Sequence, residues 1–248
     1  TLEQAKGYEF PLHVAVGDAL IKHRQLTLFE DDDELAEFHY ATEDVHEHPG
    51  ILKERSYHVV VGNPPYVTVK DTALNDLYRQ IYSTCHRQYA LSVPFAQRFF
   101  ELARSANSDG RGAGYVGQIT ANSFMKREFG KKLIEEFFAG QVDLTHIIDT
   151  SGAYIPGHGT PTVILVGRNR LVSSRYSAPP LGILGIRGEP NQPADPASGL
   201  VWSAIINQVR RPDAESTEWV SSSYLDRDSL SSHPWSLSGG GAAAVLKR

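Results

Sequence analysis

The chain has 248 residues, and 24 Lys and Arg face 29 Asp and Glu, for a net charge of −5 with His neutral. Hydrophobic residues at 41% and aromatics at 10% exclude a disordered chain and suffice for a buried core. No apolar run approaches the roughly 20 residues that cross a bilayer, Thr1 to Lys6 lack a signal-peptide pattern, and the single Cys85 excludes a disulfide framework and suits a reducing cytoplasm.

Residues 11–17 read as a short strand, closed by the turn Gly17-Asp18-Ala19-Leu20. Residues 21–56 form an acidic insertion; 25–52 hold no Lys or Arg, and Asp31, Asp32, Asp33 and Glu34 begin a run of carboxylates. A buried strand follows at 57–61. The prolines at 64 and 65 forbid further ladder pairing, so the chain leaves the sheet there. Helices are predicted at 71–83, with Leu74, Leu77, Tyr78 and Ile81 on one face, and at 94–106, with Phe95, Phe99, Leu102 and Ala106. A strand at 114–120 leads into a helix capped by Asn122 or Ser123, with Met125, Phe129, Leu133 and Phe137 at every fourth position. Strands at 143–149 and 161–166 are the last clear elements. From Ser173 onward the Pro, Gly and Ser content reads as a linker.

Strand and helix alternate from 57 to 149. That pattern predicts an α/β fold, a mostly parallel sheet with helices on both faces. Ligands of such sheets bind outside the carboxyl ends of the strands. Asp18, Asn63 and Asn122 each lie just past a predicted strand end.

Asn63-Pro64-Pro65-Tyr66 is the most informative tetrapeptide. Two prolines fix φ twice and aim the loop carbonyls rigidly. An Asn amide oxygen and a neighbouring carbonyl can grip both hydrogens of one exocyclic amine, and Tyr66 offers an aromatic face to a planar ring. The same residues also make a plain Pro-Pro turn. Asp18 likewise has two readings: a carboxylate that accepts from an amine, or the cap of a helix or Asx-turn.

Over residues 12 to about 168 the chain resembles the N6-adenine-specific DNA methyltransferases. Three stretches carry the likeness in order: the strand into Asn63-Pro64-Pro65-Tyr66, the strand and helix from Gly114 through Asn122 to Phe138, and Ile155-Pro156 followed by Thr160 to Val166. The tail Trp235-Ser236-Leu237-Ser238-Gly239-Gly240-Gly241 adds a likeness to the PglX-type enzymes of bacterial phage-defence systems of the BREX kind. The resemblance implies a Rossmann-like fold that uses S-adenosylmethionine and methylates a flipped-out adenine in double-stranded DNA, in restriction-modification or phage defence, with other phage-defence proteins as partners and no membrane. It implies that Asn63 and the Pro64 carbonyl accept the N6 hydrogens, that Pro65 holds the loop and that Tyr66 stacks on the base; since stacking needs the ring and not the hydroxyl, Phe should substitute tolerably at 66. Asp18 and Ala19 would meet the cofactor, and Tyr154 and Ile155 would wall the adenine pocket.

The family's glycine-rich cofactor loop is absent. The chain therefore reads as a piece of a longer protein: residues 1–170 as a partial catalytic domain, 171–248 as a linker and the start of a DNA-recognition region. Alone it is expected to bind the cofactor too weakly to methylate DNA. Methylation of RNA adenine or protein glutamine, or a non-catalytic DNA-binding or assembly module, are the alternatives. His46 and His48 have a metal-pair spacing, but they fall in a stretch read as solvated and loosely held, and no metal site is expected there. Cys85 reads as a helix residue without chemistry, and Lys126, Arg127, Lys131 and Lys132 as a basic helical patch.

Overall fold

The computed structural model describes residues 12–21, 48, 50–157, 159–173, 175, 177–212 and 215–237. Most of the acidic insertion, His46 and the glycine run at 239–241 lie outside the described residues. The chain divides into two units, Thr1–Lys53 and Glu54–Arg248.

In the first unit the strand expected at 11–17 is not found over its described residues. Leu12 and Val14 alternate as strand residues do, yet they are 88% and 80% exposed, so the alternation faces no core. The turn after them is present. Asp18 Oδ1 accepts from the Leu20 amide at 2.8 Å, and the Asp18 carbonyl accepts from Ile21. This is the Asx-turn geometry of a short acidic side chain.

The second unit is built on six strands: β1 (Val59–Gly62), β2 (Tyr115–Ala121), β3 (Asp143–Asp149), β4 (Thr162–Arg168), β5 (Leu181–Gly185) and β6 (Val220–Tyr224). Their order is β1-β2-β4-β3-β5-β6. β1 pairs with β2, and β3 with β5, in parallel; the other three pairings are antiparallel. So β1, β2, β3 and β5 share one direction, while β4 and β6 run against them. The sheet is mixed because β3 and β4 are neighbours in a hairpin rather than joined by a crossover.

Helices cover both faces, as the alternation predicts. Helix α1 (Thr72–Ile81) is capped by Asp71, whose Oδ1 accepts from the Leu74 amide. Helix α2 (Ser92–Leu102) stops earlier than its apolar spacing suggests, because Ala103 turns extended and bridges Tyr57. α2 packs on the face that carries Val116 and Gly167, register partners on β2 and β4. There the Phe100 ring fills the space a Cβ on Gly167 would need. Helix α3 (Leu200–Arg210) packs on the other face, where Val201, Ala204 and Ile205 meet Ile148, Leu181, Ile183 and Val220.

Two further expectations need correction. Residues 122–138 are not one capped helix. They form two 3₁₀ turns, Asn122–Met125 and Glu128–Gly130, then a π-helical turn, Leu133–Phe138. Arg127 is extended between them, and neither Asn122 nor Ser123 caps a helix. The chain folds back so closely that the Phe124 carbonyl oxygen lies 1.8 Å from where a Cβ on Gly130 would be. The four apolar residues at period four are all buried, so the burial face is right and the helix is not.

The stretch after Ser173 is no linker either. β5, α3 and β6 extend the sheet, and the chain then returns to the turns at 122–138. Trp235 is buried there: it stacks on Phe138 with centroids 5.9 Å apart, meets Phe124 edge-on, and donates its backbone N–H to the Met125 carbonyl.

A second fixed point lies at the start of β3. The Asp143 carboxylate is 1% exposed. Its Oδ2 accepts from the Arg170 guanidinium at 2.7 and 2.8 Å, and its Oδ1 from Arg227 at 2.6 Å. Arg170 also reaches the Gly110 carbonyl, and Arg227 the Leu144 carbonyl.

Candidate active site at the carboxyl edge of the sheet

Val59, Val60 and Val61 suit a strand because branched side chains fit the pleat. Gly62 ends it. A Cβ there would lie 2.4 Å from the tip of the Phe99 ring on α2, so only glycine lets the helix come this close. The next residues leave the sheet. They rejoin fixed structure at once: the Leu91 amide donates to the Val67 carbonyl at 2.8 Å, and Thr68 bridges Ala90. The loop is thus held by β1 on one side and by the start of α2 on the other.

Within it Pro64 is buried, Asn63 and Pro65 are exposed and Tyr66 is half-buried. The Tyr66 hydroxyl donates to Asn63 Oδ1 at 2.7 Å. Burial raises the phenol pKa, so the group stays a protonated donor well into alkaline pH. Asn63 thus presents its amide to solvent, with the oxygen already in one hydrogen bond and a second lone pair in hand.

Asn122 follows β2 at the same edge, where its backbone N–H donates to the Pro161 carbonyl. Tyr154 and Ile155 are half-buried in the turn between β3 and β4. That turn is tied down by the Thr150 and Thr162 hydroxyls, 2.7 Å apart at its base. It is tied again by Trp202 of α3, whose indole N–H donates to the Tyr154 carbonyl at 3.1 Å. Since β1, β2 and β3 run the same way, Asn63, Asn122 and Tyr154 sit along one edge. β1 and β3 are three strand spacings apart in the sheet order, about 14 Å. Asp18 and Ala19 belong to the other unit.

Sequence reasoning missed three supports: Phe99 beneath Gly62, Leu91 on the loop's far side and Trp202 behind Tyr154. Only the first left a trace, a glycine closing a run of valines. Lys126, Arg127 and Lys131 are exposed as expected but lie on separate short turns, not on one helical face. Cys85 follows α1 instead of lying in a helix; burial pushes its thiol up to about 12, so it is chemically quiet. No cluster of metal-ligating side chains occurs among the described residues, and no helix among them is long and apolar enough to cross a membrane. Cavities of about 450 and 230 Å³ open at the opposite edge, near Arg55, Ser105 and Asn169, away from Asn63.

The chain has counterparts among known proteins. The Eco57I restriction-modification methylase profile matches residues 12–155. The chain is 58% identical along its whole length to the adenine-specific methyltransferase PglX of Streptomyces coelicolor (strain ATCC BAA-471 / A3(2) / M145), and spans 22% of that protein. This agrees with the likeness to PglX-type enzymes seen in the sequence. In three dimensions it is similar to a modification subunit of a putative type I restriction enzyme from Vibrio vulnificus YJ016, with a TM-score of 0.52 at 12% identity over 77% of this chain and 40% of that one. That second likeness is one of fold.

Proposed function

Because the chain belongs to the Eco57I restriction-modification methylase family, we propose that it is the catalytic part of an enzyme that methylates the N6 amine of adenine in double-stranded DNA. The observation that carries this reading is the loop after β1, where an exposed Asn63, its amide oxygen accepting from the Tyr66 hydroxyl, and a half-buried aromatic ring share one rigid turn.

Adenine N6 is a weak nucleophile, since its lone pair is conjugated with the ring. Asn63 Oδ1 and the Pro64 carbonyl accept its two N–H bonds and favour a more tetrahedral nitrogen. Bound S-adenosylmethionine supplies an electrophilic methyl group on a sulfonium. Held this way, N6 would be placed to take that methyl group, and the extra proton on nitrogen would leave to water. Tyr66 stacks on the base after it has left the duplex, an interaction worth roughly 1–3 kcal/mol. Tyr154 and Ile155 form the facing wall. The Asp18 turn fits the cofactor as a half-buried carboxylate acceptor for an exocyclic amine, with Ala19 beside it. Exposed Lys126, Arg127 and Lys131 follow β2 at the same edge and suit contacts with phosphates. Other proteins of a phage-defence system are further partners.

The test uses the full-length protein with duplex DNA and the cofactor, followed by digestion to nucleosides and mass spectrometry. N6-methyladenine is expected, and Asn63→Ala should remove it while DNA binding persists. Normal methylation by Asn63→Ala would end the reading; methyl transfer only to RNA or to glutamine would redirect it.

A further inference from the structure

We propose that the Tyr66 hydroxyl is a positioning group for methyl transfer: it holds the Asn63 amide with its oxygen, not its NH₂, toward the incoming amine. The proposal rests on the reading of Asn63 as the N6 acceptor.

Asn63 is exposed, and the two ends of a carboxamide are nearly equal in shape. A half-turn about χ2 would aim two donors at an amine that is itself a donor. Something must therefore choose the rotamer before the base arrives. The phenol, 2.7 Å from Oδ1, is placed to do so. A phenol donates better than it accepts, because its oxygen lone pair is drawn into the ring. It thus favours the carbonyl end of the amide over the NH₂ end. Its own position is well determined. Pro64 and Pro65 fix φ between the two partners, the ring is half-buried, and the next two residues are clipped to Leu91 and Ala90. The hydrogen bond takes one lone pair of Oδ1 and leaves the other for an N6 hydrogen. Phe at position 66 is therefore not equivalent to Tyr, against the expectation from stacking alone.

The experiment compares full-length protein carrying Tyr66 or Tyr66→Phe, each with Asn63 or Asn63→Asp. Single-turnover methyl transfer and the fluorescence of 2-aminopurine at the target base are both read. Tyr66→Phe should keep the fluorescence rise but slow transfer roughly 2- to 13-fold, the equivalent of one net hydrogen bond. The two oxygens of a carboxylate are equivalent, so no wrong rotamer exists in the Asn63→Asp protein; there the same change should slow transfer less than about twofold. Equal rates for Tyr and Phe overturn the proposal. So does an equal slowing in the Asn63→Asp background, or a slowing that tracks lost fluorescence. An Asn63→Asp protein without activity overturns it too, since only the oxygen is required. Failure of the underlying reading looks different: Asn63→Ala then transfers normally.

Discussion

Asn63 and Asp143 sit at opposite edges of the sheet, one just past the end of β1 and the other opening β3. Each presents side-chain oxygens as acceptors. Asp143 is 1% exposed, and both its oxygens are filled by two arginines from distant parts of the chain. Asn63 is exposed and accepts a hydrogen bond from a neighbour three residues away. A buried acceptor must be satisfied by the fold or it costs stability. An exposed one on a rigid loop can keep capacity for a ligand. The lesson is that saturation, more than polarity, separates a structural fixture from a working group.

The sharpest way to break this contrast is Asp143→Ala, which leaves the partly buried guanidinium groups of Arg170 and Arg227 without their anion. It should destabilise the fold by about 3–5 kcal/mol, seen as an earlier urea midpoint; an unchanged midpoint would make Asp143 dispensable. Asn63→Ala should behave in the opposite way. Its methyl-transfer rate should fall roughly 10²–10³-fold with the unfolding curve in place, and a shifted curve would blur the distinction. Gly62→Ala probes what holds the loop. Displacing the Phe99 ring should cost about 1–3 kcal/mol, and adding Phe99→Leu should recover most of it; no recovery would put the strain elsewhere. The smallest effect is expected at Arg187 and Glu218, a 3.3 Å pair that is 66% and 62% exposed. Arg187→Ala should change stability by less than about 1 kcal/mol, and a larger loss would mean that exposed polar contacts also act as fixtures here.

Local signals were legible. The valines before Gly62, the two prolines after it and the apolar face of α1 act within a few residues, and β1, α1 and β3 lie where the sequence places them, although β1 is an edge strand with Val59 and Val61 exposed instead of the buried strand expected. The turn at Asn63 to Tyr66 was legible for the same reason. Residues 122–138 misled because a period-four burial pattern does not report whether the backbone between stays helical; the extended Arg127 and the close Gly130 are set by tertiary packing. β6 was invisible because Val-Ser-Ser-Ser-Tyr shows little apolar alternation. Its Ser222 is fixed instead by Gln208 of α3, a contact no pattern announces. The support of Tyr154 by Trp202 spans 48 residues and left no local mark.

Asp143 also imposes an order in time on a growing chain. Its partner Arg227 lies 84 residues downstream, and Trp235, which covers Phe124 and Phe138, comes later still. At the roughly 5–20 residues per second of synthesis, the Asp143 carboxylate and the Phe124 and Phe138 rings wait several seconds for the segment that completes their contacts. In that interval Ala90, Leu91 and Phe99, which hold the loop after β1, have already been synthesised, whereas Asp143 and the two rings still await a partner.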